Sequence, residues 1–405
     1  MSDATDKELI ARAVVEQLRG AGHEALYAGG CVRDRLLGRE PKDYDVATSA
    51  TPDQVREVFG KRRTLAVGAA FGVIAVLTGR KGDDPIEVAT FRSDADYTDG
   101  RRPDRVEFTT AEHDAQRRDF TVNGLFFDPI EQRVIDYVGG EADMQAKRLR
   151  AIGNAADRIA EDKLRMLRAV RFAATLGFEI EPATSHAVRE SASDITVVSA
   201  ERIGAELRRM LTHESAPRAV WLLAEHHLLG EVAPEFPGDA GSLAHFAALH
   251  DHLSVRTMPT VLACLLGPHA DAETASRRAF ALKLTRKEAD RVGWLVEHRS
   301  ALEGADSRRW SEVQPALVEG GEELVAVHEA FAGGPDDASR FCREKLALPA
   351  DELDPPPLVT GGDLVAAGRR PGPEFAALLR RARVAQLDAE VATKAEALKL
   401  LAGGR

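Results

Sequence analysis

Apolar and polar positions follow two different patterns along the chain, and the change falls near residue 145. Before it, a helical pattern over residues 5–20 precedes several short apolar runs; after it, apolar residues recur almost only at helical intervals. The short runs predict strands, at 26–28, 64–68, 71–79, 85–92, 120–128 and 133–138. The pattern therefore predicts an α+β first part built on a mixed sheet, followed by an all-helical remainder.

Some residues mark where the predicted elements begin and end. Thr51 and Gln54 have the spacing of a capping box, which predicts a helix start. The longest helical pattern, residues 157–176, ends before Gly177, a residue typical of helix C-termini. The polar stretch 93–105 contains glycine, proline and paired arginines, and it is predicted to be a mobile loop.

Composition narrows the class of protein. The chain has 405 residues, 44% hydrophobic and 29% charged, as in ordinary globular proteins. It contains no run of about 18 apolar residues and no secretory segment, so a membrane span is not expected. Three widely spaced cysteines fit the cytoplasm. The net charge of −11 argues against non-specific coating of nucleic acid, although residues 147–171 carry eight Lys or Arg against three Asp or Glu.

Two aspartates are the first candidates for chemistry. Asp43 and Asp45 are expected on one strand, where residues i and i+2 point to the same face, so their carboxylates should project side by side. That arrangement is costly without cations, and Mg²⁺ prefers carboxylate and phosphate oxygens. Two such ions, about 4 Å apart, would clamp the attacking and leaving oxygens of phosphoryl or nucleotidyl transfer.

The residues before this strand fit phosphate binding. Gly29 and Gly30 leave backbone N–H groups accessible to a ligand, and Arg33 would donate to phosphate oxygens. A double glycine alone is more often a plain turn, and the dinucleotide fingerprint G-x-G-x-x-G is absent. Glu87, on a mostly apolar run, is equally well a surface residue at a strand end or a site residue.

The longest helical pattern carries charged residues at three-residue intervals, Asp162, Arg165, Arg168 and Arg171. This spacing predicts that Asp162 and Arg165 are neighbours, able to accept from a base's exocyclic amine and donate to its ring nitrogen. Cytosine and adenine present that edge, whereas uracil and guanine reverse it. The alternative is ion pairing along the helix between Glu161 and Arg165.

Taken together, the motifs resemble those of the class II tRNA nucleotidyltransferase and poly(A) polymerase family. The family's nucleotidyltransferase motif is matched by GGCVRDRLLG with DYD, and its third acidic strand with a flexible loop by EVATFRSDADYTDGRRPDRVEF. Its sugar- and phosphate-binding motif is similar to RRDFTVNG, its nucleotide-selecting motif to EDKLRMLRAVRF, and its helical E-R motif to SAERIGAELRRML. The tail of bacterial CCA-adding enzymes resembles PPLVTGGDLVAAGRRPGPEFAALLRRARVAQLDAE.

The resemblance implies a role for each matching residue. Asp43 and Asp45 would hold Mg²⁺, and Glu87 would be the third catalytic carboxylate. Glu161 would orient Arg165. Contacts to the nucleotide are implied for Gly29, Gly30, Arg33, Arg118, Asp119, Asn123, Glu161, Asp162, Arg165, Arg168 and Arg171.

The implied activity is template-independent addition of CCA to the 3′ end of tRNA from CTP and ATP, with release of pyrophosphate. The alternatives are addition of A alone, poly(A) synthesis, or an inactive RNA-binding scaffold. A CC-adding enzyme would lack the flexible loop, which this chain has around Asp99–Arg102, and AVGAAFGVIAVL resembles the CCA-adding type more than poly(A) polymerases. An inactive scaffold would not need its acidic residues or base-reading pair intact.

The implied architecture has four parts. A polymerase-beta-like nucleotidyltransferase head with a mixed sheet spans residues 1–145, and a helical neck with the nucleotide-selecting motif spans 146–215. A helical body follows over 216–350, and a tRNA-binding helical tail over 351–405. The nucleotide would lie between head and neck, where the acceptor end of tRNA would meet it.

One departure and one rival site complete the predictions. Gly124 replaces the family's usual alanine, for which only a local backbone effect is expected. His250-Asp251-His252, with His226 and His227 upstream, superficially resembles the metal-binding His-Asp pair of HD phosphohydrolases. Histidines on a helix surface are the favoured interpretation, because a metal site needs several ligands in workable geometry.

Overall fold

The structure is a computed structural model that describes residues 3–68, 72–78, 84–95 and 105–402. The chain divides into two compact units. The first contains the predicted sheet, and the second contains no strand within the described residues. The bounds are Met1–Met210 with Trp221–Val232 for the first unit, and Leu211–Val220 with Ala233–Arg405 for the second.

Within the described residues, seven strands of the first unit form one mixed sheet, and two strand pairs lie outside it. The strands are β1 (Ala25–Ala28), β2 (Asp45–Thr48), β3 (Thr64–Gly68), β4 (Val73–Val76), β5 (Ile86–Thr90), β6 (Arg92–Ala95), β7 (Arg105–Phe108), β8 (Phe126–Asp128), β9 (Arg133–Ile135), β10 (Arg148–Leu149) and β11 (Glu179–Ile180). The sheet order is β3-β4-β5-β2-β1-β8-β9, and β2 pairs with β5 in parallel. The predicted α+β fold with a mixed sheet is confirmed.

Strand β1 is buried along its whole length, because the protein covers both of its faces. Leu26 and Ala28 pack in one core cluster with Phe126 of β8. Tyr27 points the other way, and its hydroxyl donates to the Glu8 carbonyl of the first helix at 3.1 Å. This central position gives rigid support to the turn at the carboxyl end of β1.

Two predicted helix signals are confirmed. Thr51 and Gln54 form both hydrogen bonds of a capping box, and Gly177 ends its helix in the left-handed conformation (φ 73°). The helices up to residue 232 are α1 (Asp3–Gly20), α2 (Gly30–Leu36), α3 (Pro52–Phe59), α4 (Ala111–Gln116), α5 (Gly140–Gln145), α6 (Ala155–Glu161), α7 (Arg165–Leu176), α8 (Pro182–Glu190), α9 (Ala200–Leu211), α10 (Ala216–Glu225) and α11 (Leu229–Val232).

The helix predicted over residues 157–176 is in fact two helices, α6 and α7. Asp162 interrupts it with an extended backbone (φ −148°, ψ 104°). Its carboxylate accepts from the Leu164 N–H at 3.1 Å, a local hydrogen bond that competes with a continuous helix. The three-residue spacing therefore does not measure positions on one helix.

Two other predicted elements also differ. The strand predicted over 120–128 is reduced to β8, because the Asp119 carboxylate accepts from the next N–H at 2.8 Å and a short 3-10 helix follows. The stretch 93–105 begins and ends in strands, since β6 and β7 pair as antiparallel strands at its two ends. Residues 96–104, with the predicted loop around Asp99–Arg102, lie outside the described residues.

The second unit packs around α13, which is buried throughout because α15 and α16 lie against it. A separate apolar cluster around Leu364 and Ala382 joins α19, α20 and α21.

Among the described residues, no helix is both long enough and apolar enough to cross a membrane. The four-part division stays a prediction. The helices are α12 (Ala240–Asp251), α13 (Met258–Leu266), α14 (Ala272–Ala281), α15 (Arg286–His298), α16 (Trp310–Ala332), α17 (Asp337–Leu346), α18 (Ala350–Leu353), α19 (Gly361–Ala366), α20 (Glu374–Leu387) and α21 (Lys394–Ala402).

Candidate active site

A polar cavity of about 460 Å³ in the first unit brings together nine of the fourteen predicted site residues. Five arginines and two aspartates line it, so its wall carries an excess of positive charge. A cavity of this size and charge suits a small anionic ligand. The lining residues are Gly29, Gly30, Arg33, Arg117, Arg118, Asp119, Asn123, Asp162, Arg165, Arg168 and Phe172.

The double-glycine turn after β1 forms one edge of the cavity. Gly29 has φ 72° and ψ −127°, a conformation that residues with a Cβ atom rarely adopt. A Cβ atom at this position would lie 3.6 Å from Arg118 Nη1 and 4.0 Å from Asp45 Oδ2. The turn therefore joins the cationic wall of the cavity to the Asp45 carboxylate.

The three predicted catalytic carboxylates, Asp43, Asp45 and Glu87, are not among the residues that line the cavity. Strand β2 begins at Asp45, so the prediction that one strand carries both aspartates is wrong. The pairing cannot extend to Asp43, because the partner strand β1 ends at Ala28, opposite Asp45. The Asp43 side chain is 78% exposed and lies 3.8 Å from the Lys7 ammonium.

Negative charge accumulates around Asp45. Glu87 directly precedes Val88, which pairs with Val46, the residue after Asp45, in the parallel pair β2 and β5. Asp45 keeps solvent contact, yet the protein around its carboxylate raises its pKa to about 6, first by burial and then by the charges of Glu87 and Asp43. Arg118 opposes this rise. The residues therefore fit a divalent cation in charge, although within the described ranges no three His, Cys, Asp or Glu side chains already converge as ligands.

Hydrogen bonds around Asn123 fix the two arginines nearest the turn. Arg33 Nη1 donates to the Asn123 side-chain oxygen at 2.9 Å, and Arg118 Nη1 donates to the Asn123 carbonyl at 3.0 Å. The Asn123 amide in turn donates to Asp119 at 3.0 Å. Burial acts to raise the pKa of Asp119, but Arg168 and the Asn123 hydrogen bond hold it below its usual value. Asp119 therefore stays charged and anchors this network.

The predicted base-reading pair meets at the cavity despite the break between α6 and α7. Arg165 Nη1 donates to Glu161 Oε2 at 2.5 Å and to the Arg158 carbonyl at 2.7 Å. Asp162 Oδ2 accepts from Arg202 Nη2 of α9 at 2.7 Å. Glu161 thus makes the hydrogen bond to Arg165 that is expected of a residue that orients it. Arg202 holds the Asp162 side chain by a hydrogen bond in the same way.

Arg171 is a predicted pocket residue that the structure does not place on the cavity wall. Its Nε atom donates to the buried Glu206 carboxylate at 2.6 Å, which turns the guanidinium away. Arg168 remains on the wall, where its Nη2 lies 2.6 Å from Asp119. The sequence reasoning did not single out Arg117 or Phe172, although both lie inside the quoted motifs RRDFTVNG and EDKLRMLRAVRF.

Within the part of the chain that the structure describes, the histidines of the rival hydrolytic site belong to no group of three side chains that could hold a metal ion. His226 and His250 are 2% and 1% exposed, so the prediction of a surface position is wrong for these two. His227 and His252 are exposed, as predicted. His226 directly follows α10, and His250 lies in α12, where its ring centroid is 6.0 Å from that of Phe246. His226 is hydrogen-bonded to Ser185, whereas His250 Nε2 has no partner among the described residues.

Acidification is expected to destabilise the protein through His250. Burial first, and then the charge of Arg256, lower its pKa to about 4, against the opposing effect of Asp251. The unfolded histidine titrates near 6.5, so between pH 6.5 and 4 only the unfolded state binds the proton. The stabilisation is complete above pH 6.5 and is lost as the pH falls towards 4.

Urea unfolding at pH 7 and pH 5 measures this effect. We expect the free energy of unfolding to fall by up to about 2 kcal/mol through this group. His250→Asn should remove that pH-dependent part, whereas His252→Asn, at an exposed position, should retain it. An equal pH dependence in both variants would contradict the assignment.

At Gly124, side-chain packing limits the size of the residue, and the backbone conformation does not. Its φ of −87° and ψ of 7° suit any residue, so the expected local backbone effect is wrong. A Cβ atom there would lie 2.8 Å from Val138 Cγ2 and 3.1 Å from Ile152 Cδ1.

We expect Gly124→Ala to lower the free energy of unfolding by about 1 kcal/mol, and Val138→Ala in the same chain to recover part of it. Additive losses in the double variant would contradict this explanation.

Two family profiles match this chain. The family profile of the poly A polymerase head domain matches residues 25–150, and that of the probable RNA and SrmB-binding site of polymerase A matches residues 177–238. The first match contains the double-glycine turn and the three carboxylates.

Curated relatives and a solved structure extend the similarity over most of the chain. The chain is 34% identical over 383 residues to the CCA-adding enzyme of Levilactobacillus brevis, with 91% of each chain covered. It is also 34% identical over 359 residues to the CCA-adding enzyme of Geobacillus stearothermophilus, with 88% and 85% covered. The crystal structure of the Bacillus stearothermophilus CCA-adding enzyme in complex with CTP matches with a TM-score of 0.80 and 30% identity, covering 99% of this chain and 98% of that one.

Proposed function

We propose that this chain, which belongs to the bacterial CCA-adding enzymes of the poly(A) polymerase family, adds C, C and A to the 3′ end of tRNA from CTP and ATP without a nucleic-acid template. The observation that carries the proposal is the cavity that Asp162 and Arg165 line together with four further arginines. The pair supplies an acceptor and a donor for one base edge, and the wall supplies donors for phosphates.

The chain's own residues bind and orient both substrates. Asp162 would accept from the amine of cytosine or adenine, while Arg165, held by Glu161, would donate to the ring nitrogen. Arg33, Arg118 and Arg168 would bind the triphosphate, and the base could not be replaced by uracil or guanine without leaving buried donors and acceptors unpaired.

We assign the metal position to Asp43 and Asp45, with Glu87 as the third carboxylate. These groups crowd negative charge around Asp45, which a divalent cation would relieve. Mg²⁺ is the cation proposed, because its preference for carboxylate and phosphate oxygens matches these side chains and a triphosphate. When bound, it would neutralise charge on the triphosphate and lower the pKa of the RNA 3′-hydroxyl that attacks the α-phosphate as pyrophosphate leaves.

The remaining predictions fit this activity. The helical parts after residue 215 would bind the rest of the tRNA, with its acceptor end at the cavity. The three cysteines, Cys31, Cys264 and Cys342, are buried and outside any disulfide, which supports a cytoplasmic location.

Primer extension with Mg²⁺ tests the proposal. Three RNAs are offered: a tRNA that ends at its discriminator base, one that ends in CC, and an unstructured oligo(A). Each receives CTP, ATP or both, with UTP and GTP as controls. We expect growth by three nucleotides on the first RNA, dependent on both CTP and ATP, that then stops.

The other outcomes separate the alternatives. Growth on the CC-ended RNA alone would identify an A-adding enzyme, and long tails on oligo(A) would identify a poly(A) polymerase. No incorporation on any RNA would favour an inactive RNA-binding scaffold. A product that forms equally well in excess EDTA would contradict the proposed requirement for a divalent cation.

A further inference from the structure

Phe172 lies at the centre of a group of arginines beside the cavity. Its ring lines the cavity, and the residue is 6% exposed. The guanidinium carbons of Arg171, Arg168 and Arg33 lie over the ring, at 4.1, 5.2 and 5.3 Å from its centroid. Phe120 packs against it edge to face, with ring centroids 6.0 Å apart, and so limits rotation of the ring. One aromatic ring thus contacts three cations.

Each of these guanidiniums also has a carboxylate partner. Glu206 lies 3.7 Å from Arg168 and 2.6 Å from Arg171, and it is itself 2% exposed. Arg33 donates to the side chain of Asp34 at 2.9 Å. A carboxylate fixes one edge of a planar guanidinium, and an aromatic surface restricts its tilt. With both contacts, the remaining N–H groups have defined directions.

A phenyl ring at position 172 suits a phosphate-binding site better than a further carboxylate side chain would. The ring attracts cations through its quadrupole but carries no net charge, so it does not cancel the positive charge of the wall. A carboxylate in its place would repel a bound phosphate. Burial first, and then the charge of Arg168, lower the pKa of Arg171 against the effect of Glu206, so Arg168 and Arg171 repel each other. The ring offsets part of that repulsion.

We propose that Phe172 is a positioning residue that aligns Arg33 and Arg168 on the nucleotide's triphosphate, with Arg171 as their support from behind. The proposal rests on the proposed function, because a triphosphate is the ligand that this function brings into the cavity. Phe172 acts through the arginines. Its loss should therefore weaken binding of the phosphates more than binding of the base.

A fluorination series at position 172 tests the electrostatic role without removing the ring. The replacements are 4-fluoro-, 3,5-difluoro- and pentafluorophenylalanine, which keep nearly the same shape while they withdraw negative charge from the ring face. Affinities for CTP, CMP and inorganic tripolyphosphate are measured on the full chain by calorimetry. We expect affinity for CTP and tripolyphosphate to fall stepwise with fluorination, and affinity for CMP to change less.

Phe172→Leu removes the ring altogether. We expect this variant to bind CTP and tripolyphosphate about tenfold more weakly, as the loss of partly buried cation–π contacts predicts. Its KM for CTP should rise in proportion while kcat changes little. Phe59→Leu in α3 is the matched control, because Phe59 is buried in the same unit but does not line the cavity.

The outcomes distinguish this proposal from the function on which it rests. A flat fluorination series, or equal losses in Phe172→Leu and Phe59→Leu, would overturn the positioning role, while C and A incorporation by the unmodified chain would leave the function standing. If Phe172→Leu does not fold, the fluorinated chains still decide the question. An unmodified chain that neither binds CTP nor extends tRNA would overturn both.

Discussion

Asp45→Asn is expected to lower incorporation of CTP about a thousandfold or more, while the affinity for tRNA stays within about twofold of its wild-type value. Asparagine keeps the shape of the side chain but removes the negative charge that would hold a divalent cation beside the α-phosphate. The tRNA contacts proposed for the helical parts are untouched by the change. Single-turnover extension of tRNA and filter retention of labelled tRNA measure the two quantities.

The same substitution should raise stability in metal-free buffer. Glu87 and Asp43 disfavour the ionised form of Asp45 in the folded protein, and a neutral amide removes that repulsion. The midpoint of thermal unfolding in EDTA should therefore rise as activity falls, a separation that a misfolded variant cannot show. Asp53→Asn, at an exposed position in the first turn of α3, is the control and should change neither activity nor stability much. Normal turnover by Asp45→Asn would refute the metal assignment.

Asp162→Asn is expected to reduce the preference for CTP over UTP about a hundredfold. The carboxylate can only accept a hydrogen bond, so it pairs with the amine of cytosine and is left unpaired against the carbonyl of uracil. The amide can also donate, which removes the penalty against uracil while it weakens the contact to cytosine. Each of the two changes is comparable to one hydrogen bond to a charged group, about tenfold or more in kcat/KM.

Competition between CTP and UTP in tRNA extension gives the selectivity directly. Asp157→Asn lies on the same segment at an exposed position of α6, and it should retain the wild-type preference. An unchanged ratio in Asp162→Asn would show that this residue does not read the base. A fall in both kcat/KM values with the ratio preserved would instead indicate loss of the Arg202 contact that holds the side chain.

Much of the fold and most of the candidate site follow from the sequence, because both depend on local patterns. The mixed sheet, the capping box at Thr51 and the C-cap at Gly177 are marked by residue types with strong conformational preferences. The position of Asp43 outside β2 is not marked in this way, since the length of β2 depends on where its partner strand β1 ends. Pairing between strands limits β2 more than its own sequence does.

The break at Asp162 shows a second limit. Periodicity alone favours one helix through 157–176, and the carboxylate that stops it gives no sign in a pattern of apolar positions. Phe172 shows a third limit of prediction from the sequence. A phenylalanine in an amphipathic helix is expected in the core, and nothing local indicates that Arg33, more than a hundred residues earlier, lies over its ring. Contacts of this kind arise from tertiary packing and become visible only in the folded chain.

The order of strands in the sheet also governs how the protein is made. Strand β1 lies between β2, its close neighbour in sequence, and β8, which follows about a hundred residues later. During synthesis on the ribosome, the sheet therefore stays incomplete until β9, which ends at residue 135, has emerged, and the cavity waits for α7 as well. Pairings between distant segments form slowly and leave strand edges exposed in the meantime. We expect the nascent first unit to depend on chaperones over that interval, although its finished sheet needs no such help.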